Sequence, residues 1–418
     1  MTGRLRHIGG AACSAAMWLL FGLAGASCGG NAAPNPETSG DGGASQPVAS
    51  APPAEPSATA GTIDLSRLRA DGPRFVGAEG TTFQWRGVSA FRLLEMIARG
   101  REAEAVAFLD WAAQERLTVV RVLTMAHNLF ALAPDEGREA LPRLLELAAD
   151  RRLYVEIVAL ADTNHIAADL QQHVAEIGRI AASHPNALVE IANEPVHPTQ
   201  DARVHDPAFL RSLAAVVPDE VPAAYGSADD SDAHAGGDYV TVHTPRRTED
   251  GGWAHVFALT QVAPLVPRWK KPVVSDEPIG AAAEYQPGRR DNDPARFRGA
   301  ALLTRLAGLG ATFHYEGGLY ARVPDGRELE CFQAWNEAWA LLPPDIEQRG
   351  AFGTGADGIL TVGVGTRHVV HRRTDNEAWV LLIGPDAEPA ISAAAEWTVA
   401  GVQSLPGVTL VHARREAP

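Results

Sequence analysis

The chain has 418 residues, with 46% hydrophobic and 21% charged residues, a composition that supports a large globular core. Its formal charge of −15 argues against a nucleic-acid partner, because phosphate binding needs basic patches. Of its three cysteines, Cys13 and Cys28 lie in or at the end of a leader, so Cys331 is left alone and no disulfide framework is expected. No Cys-x-x-Cys or His-rich spacing suggests a zinc site.

Residues 1–27 read as an export signal: Arg4, Arg6 and His7 precede the apolar run MWLLFGL, and small residues follow. That run is far shorter than the roughly 20 residues that span a bilayer. Gly25-Ala26-Ser27-Cys28 resembles a bacterial lipobox, with Gly25 where an aliphatic residue is usual; Ala24-Gly25-Ala26 would equally suit simple cleavage. The expectation is lipidation at Cys28 and anchoring at the bacterial outer membrane or cell surface, with free secretion as the alternative. Residues 28–61 are rich in Pro, Ala, Ser and Gly, cannot bury enough apolar surface to fold, and read as a disordered tether.

Regular alternation begins near Arg74. The run RFVGAEGTTFQWRGVSAF predicts two short strands about a Gly turn and then a strand ending at Ser89. Strands are then expected at 118–123, 153–160, 188–192, 221–225, 239–243, 272–276 and 311–315. Helices are expected at 93–115, 136–150, 165–183, 206–216, 256–266, 293–309 and 329–342. Strictly alternating units argue for a parallel sheet. Eight of them over residues 74–343 predict a closed (β/α)8 TIM barrel. A doubly wound open sheet fits the same alternation, but no Gly-rich phosphate loop follows the first strand. From 344 to 418, short strand signals separated by Gly, Pro and Asp predict a small all-β C-terminal appendage, packed on the barrel or binding sugar.

The strand 188–192 runs into Asn193-Glu194-Pro195, and the strand 272–276 into Glu277-Pro278. Proline cannot donate to a ladder, so each glutamate is expected at the carboxyl end of its strand, the rim where barrel active sites are built. Two such carboxylates are the apparatus of glycoside cleavage.

The motifs GTTFQWRGVSAF, VVRVL, EIANEP, VTVH and PVVSDEP, in this order, resemble the glycoside hydrolases of clan A, which include the family 5 cellulases and mannanases. The resemblance covers roughly residues 74–342. It implies a retaining hydrolase of a β-linked oligo- or polysaccharide, with no metal or organic cofactor. It implies that Glu194 is the acid/base and Glu277 the nucleophile. Arg121 would sit beside the nucleophile, Asn193 would bond the sugar 2-hydroxyl, and His243 would stand at the end of the sixth strand. Where the clan carries Tyr two residues after that His, this chain has Pro245, so Tyr225, Tyr315 or His314 must replace it or the contact is missing. That departure supports the competing reading, a non-catalytic glycan-binding surface lipoprotein on the same barrel. The eighth strand lacks the clan's Trp, leaving Tyr315 to floor the cleft and Glu316 as a third acid. Trp253, in the loop after His243, is the expected sugar-stacking residue; Trp85 and Trp269 read as packing. Asp276 precedes Glu277, and strand alternation would turn it away from the mouth.

Overall fold

Eight strands follow one another around a ring: β1 (Arg86–Ser89), β2 (Val119–Leu123), β3 (Tyr154–Leu160), β4 (Ala187–Ala192), β5 (Ala223–Ala224), β6 (Val240–Val242), β7 (Val273–Ser275) and β8 (Gly310–Tyr315). Hydrogen-bonded neighbours run β5-β4-β3-β2-β1-β8-β7-β6, all parallel. The seam between β5 and β6 is bridged by a loop: Asp238 N–H donates to the Ala223 carbonyl at 2.7 Å, and its carboxylate accepts from Ala223 N–H at 3.0 Å. This is the expected (β/α)8 barrel. The computed structural model describes residues 65–226, 232–244, 253–356, 358–363, 368–384 and 390–415. The signal segment, the tether, Cys28 and Pro245 lie outside them.

The outer helices follow the sequence pattern, with local differences. The helix expected over 93–115 is two, α1 (Leu93–Ala98) and α2 (Glu102–Gln114), because Gly100 adopts φ +74° and breaks the ladder. Next come α3 (Pro134–Ala149), α4 (Leu170–Ala182) and α5 (Pro207–Ala214). The α4 helix starts five residues later than expected, where the Asp169 side chain caps Gln172 N–H at 3.0 Å. The helix expected over 256–266 is three short pieces, Ala254–Phe257, Leu259–Val262 and Leu265–Trp269. Two long helices, Pro294–Ala307 and Gly326–Trp339, close the ring.

Inside the barrel, side chains alternate by the period of two that a strand imposes. The lower layer is apolar: Trp85, Val119, Tyr154, Leu188, Tyr239 and Val274 cluster together. An N-terminal antiparallel sheet (Arg69–Asp71, Arg74–Val76, Thr82–Phe83) plugs it from below, with one strand more than expected. Phe75 stacks on Trp85 at 5.3 Å, and Phe83 meets Tyr154 edge-on at 4.9 Å. Two residues further along each strand the interior turns polar. Ser89, Arg121, Glu156, Glu190, Thr241, Asp276 and His314 are all buried there.

After the barrel, five strands form an antiparallel sheet in the order Ala351–Thr354, His368–Arg373, Glu377–Ile383, Val408–Arg415, Trp397–Leu405. The sheet packs on helix Pro294–Ala307. Gly299 leaves room for Ile383 and Val408 there, and Arg372 donates to the Leu306 carbonyl at 2.7 Å. The described residues fall in one compact unit, Gly61–Pro418.

Candidate active site

Arg121 organises the site. It sits mid-strand on β2, fully buried, and spends its donors on residues from three other elements. Its guanidinium lies 2.8 Å from Glu190 on β4, 2.7 Å from Glu277, 3.2 Å from Asp276 and 3.6 Å from Glu156 on β3. It also donates to Asn193 Oδ1 at 2.9 Å. Burial alone would strip a cation of its charge; the carboxylates Glu190, Asp276, Glu277 and Glu156 reverse this and raise the Arg121 pKa well above its ordinary value.

Strand β4 delivers Asn193 and Glu194 to the rim. Asn193 N–H still donates to the Leu160 carbonyl at 2.9 Å, and there the ladder stops. Glu194 takes φ +46°, a left-handed conformation uncommon for a residue with a Cβ. That turn carries its side chain, 33% exposed, out toward solvent over the barrel mouth. The loop is braced from behind: Gln200 donates to both the Asn193 and Leu160 carbonyls, and accepts from Thr163 at 2.7 Å.

The other carboxylate comes from the end of β7. Strand pairing ends at Ser275, so the alternation that would send Asp276 and Glu277 to opposite faces no longer applies. The expectation that Asp276 turns away is corrected: it keeps the inward phase of Val274, is fully buried and reaches Arg121, and Glu277, past the last paired residue, turns to the same cation.

His243, at the end of β6, stands between the acids. Its Nδ1 is 3.3 Å from Glu194 Oε1, and its Nε2 is 3.3 Å from Asp276 Oδ1 and 3.8 Å from Glu277 Oε1. Burial pulls its pKa down, but Glu277 and Asp276 outweigh it, and the imidazole is held well above its usual range as a cation. An oxygen of Glu194, an oxygen of Glu277 and a nitrogen of His243 all lie within 4.8 Å of one another. Glu190, His243 and Asp276 form a second such set. Neither donor set suits a metal ion, because the Arg121 cation lies within 3.2 Å of Glu190, Asp276 and Glu277 and would repel it.

Of the residues expected from sequence, Arg121, Asn193, Glu194, His243 and Glu277 converge. Tyr315 does not. On β8, Thr312 and His314 point inward, whereas Tyr315 is fully buried on the outer face, its hydroxyl donating to the Arg322 carbonyl. His314 takes the inward place: its Nδ1 is 2.9 Å from Ser89 Oγ and its Nε2 is 3.9 Å from Glu277. Glu316 is exposed beyond the strand end. Trp253 is 4% exposed, wedged against Gly299 and Gly407 where the C-terminal sheet meets the barrel, so its ring has no open face for a sugar.

The sequence reading missed Glu156, Glu190 and Tyr239, which lie beneath the pair. Burial, with Glu190 and Asp276 nearby, raises the Glu156 pKa well above the carboxylate range; burial likewise raises Glu190 to about 7, against the pull of Arg121. Tyr239 donates to Glu156 at 3.1 Å. A signal was present: LYVEIVAL and ALVEIA each carry one acid in the middle of an otherwise apolar strand.

The comparisons agree on the fold. A glycoside hydrolase structure aligns with a TM-score of 0.56 at 12% identity, covering 84% of this chain and 97% of that one. A glycoside hydrolase family 5 structure from Bacteroides vulgatus aligns at 0.53 and 12%, covering 84% and 94%. A β-glucanase of Saccharophagus degradans in complex with cellotetraose aligns at 0.50 and 12%, covering 66% and 93%. No family model and no curated protein sequence matches the chain. The chain thus has the (β/α)8 fold of the family 5 glycoside hydrolases, with a C-terminal all-β appendage.

Proposed function

We propose that the protein is a retaining glycoside hydrolase acting on a β-linked oligo- or polysaccharide. The observation that carries this is the separation of the two rim acids: oxygens of Glu194 and Glu277 lie within 4.8 Å. Retaining enzymes hold their carboxyls about 5–5.5 Å apart, whereas inverting ones leave about 6.5–9.5 Å for a water.

In this reading Glu277 attacks the anomeric carbon while the bond to the leaving oxygen breaks and Glu194 gives that oxygen a proton. Arg121, 2.7 Å from Glu277, favours the ionised nucleophile. Glu194 then takes a proton from water, whose oxygen joins the anomeric carbon as the Glu277 ester breaks. Asn193, fixed by Arg121, is placed to bond the 2-hydroxyl. The scheme needs no metal or organic cofactor. The glycan and the choice between hydrolysis and transfer are set by rim loops. The leader supports export, with Cys28 as a lipid anchor.

The test is direct. Purified Glu277→Gln and Glu194→Gln variants, incubated with β-glucans, β-mannans and aryl β-glycosides, should fold normally and release no sugar from any substrate that the wild type cleaves. Full activity in either variant refutes the assignment, and tight binding with no cleavage by wild type favours a glycan-binding protein.

A further inference from the structure

Asp276 lies two residues beyond the inward-facing Val274, and its two oxygens meet two different cations of the site. Oδ2 lies 3.2 Å from Arg121 Nε, and Oδ1 lies 3.3 Å from His243 Nε2. The opposite ring nitrogen, His243 Nδ1, is 3.3 Å from Glu194 Oε1. One imidazole therefore links a fully buried anion to the carboxylate at the rim. We infer that Asp276 is a positioning residue for the proton donor: through His243 it fixes Glu194 and sets the pH at which Glu194 releases its proton. This rests on Glu194 being the acid/base.

The argument is one of donor counting and charge. Carboxylates face His243 on both sides: Glu194 from the loop after β4, and Asp276 and Glu277 from the end of β7. A neutral imidazole carries one N–H and would turn a lone pair toward one of these anions; an imidazolium donates to both sides. The remaining charged neighbours do not reverse this. Arg121 is already surrounded by Glu190, Asp276, Glu277 and Glu156, while Tyr239 lies behind Glu156 and His314 approaches Glu277 from the far side. Asp276 is the most deeply buried anion touching His243, so its charge is the least screened by water.

The consequence reaches Glu194. A cation donating to Oε1 favours the ionised form, making Glu194 a stronger acid toward the leaving oxygen and a ready base toward water. Glu277 gains a second cation beside Arg121, which serves in place of the tyrosine contact that Pro245 removes from the clan pattern.

The experiment uses the full chain without substrate. Nitrogen-15 spectra of the histidine rings and carbon-13 spectra of the glutamate carboxyls are titrated in wild type, Asp276→Asn and Asp276→Glu, with His243→Gln and Glu194→Gln assigning the signals. Wild-type His243 should stay protonated past pH 8. In Asp276→Asn its titration should fall below neutral pH, so that Glu194 loses its cationic neighbour over much of its own range and titrates higher than in wild type. Asp276→Glu should restore both in part. A neutral His243 at pH 7 in wild type overturns the inference, as does a Glu194 titration that ignores the Asn variant. On any substrate that wild type cleaves, the alkaline limb of kcat/KM should move upward in Asp276→Asn; a uniformly lowered profile with no shift would mean a structural role only. A wild type that cleaves nothing defeats the hydrolase assignment, while the titrations still decide the linkage.

Discussion

The polar layer of the barrel depends on a single guanidinium, and removing it gives a prediction with a pH signature. Arg121→Met keeps the apolar stem and deletes the charge that faces Glu156, Glu190, Asp276 and Glu277. Breaking one buried ion pair by removing a partner costs about 3–5 kcal/mol. Four acids share this cation, and those that stay ionised at neutral pH bear that cost. At roughly 2 cal/mol/K of unfolding entropy per residue, over the unit Gly61–Pro418, it corresponds to a fall in Tm of about 4–7 °C. The sign with pH follows from the acids. Burial raises Glu156 and Glu190 already in the wild type, and Arg121 pulls both back down. Without it their folded pKa values rise further above the unfolded ones. A raised folded pKa means that stability is lost as pH climbs from the unfolded value through the folded one. The part of the variant's deficit that comes from these two acids should therefore be small below pH 7, where both already hold their protons in the wild type, and grow above it. Thermal unfolding followed by circular dichroism over pH 5–9 measures it. An equal deficit at both ends would refute the idea that Arg121 compensates buried charge.

The remaining predictions test separate parts. Glu194→Ala should lose about 10²–10⁴ in rate on natural glycans. It should keep most of its first step on an aryl glycoside whose leaving group needs no proton, and added azide should speed its turnover. Glu156→Gln should be more stable than wild type at pH 8, by on the order of 1 kcal/mol, because Gln stands in for the protonated acid and still accepts from Tyr239; the advantage should shrink as pH falls toward 4.5. Gly226→Ala should destabilise by about 3 kcal/mol or more in urea unfolding. Gly226 has φ +106°, and a Cβ there would lie 1.8 Å from the Ala192 carbonyl, at the base of the Asn193-Glu194 turn. Tyr315→Phe should leave kcat/KM within about twofold, since that ring faces the helices; a larger loss would return it to the cleft.

The barrel was legible because its strands are short, apolar and evenly spaced, and a ring of eight follows from their number. Glu194 and Glu277 were legible because proline ends pairing just after each. What escaped was side-chain direction beyond the last paired residue. Alternation holds only while a ladder does, and β7 stops at Ser275, so Asp276 and Glu277 both reach Arg121. Tyr315 was misplaced for the complementary reason. On β8 the ladder persists to the end, and period two puts His314 inside and Tyr315 outside. Trp253 looked like a rim residue because the packing of the C-terminal sheet against Gly299 and Gly407 depends on contacts distant in sequence. A signal for the centre of the site was present but not read: a lone acid inside LYVEIVAL or ALVEIA must be neutralised or meet a buried cation, and VVRVL carries one in Arg121.

The most direct measurement of the central claim is the anomeric configuration of the first product. Wild-type protein would be added to the β-glucan or β-mannan that it cleaves fastest, and the anomeric protons of new reducing ends followed by NMR before mutarotation. The proposed double displacement by two carboxylates this close predicts that the first sugar released is the β anomer. Appearance of the α anomer first would contradict the account.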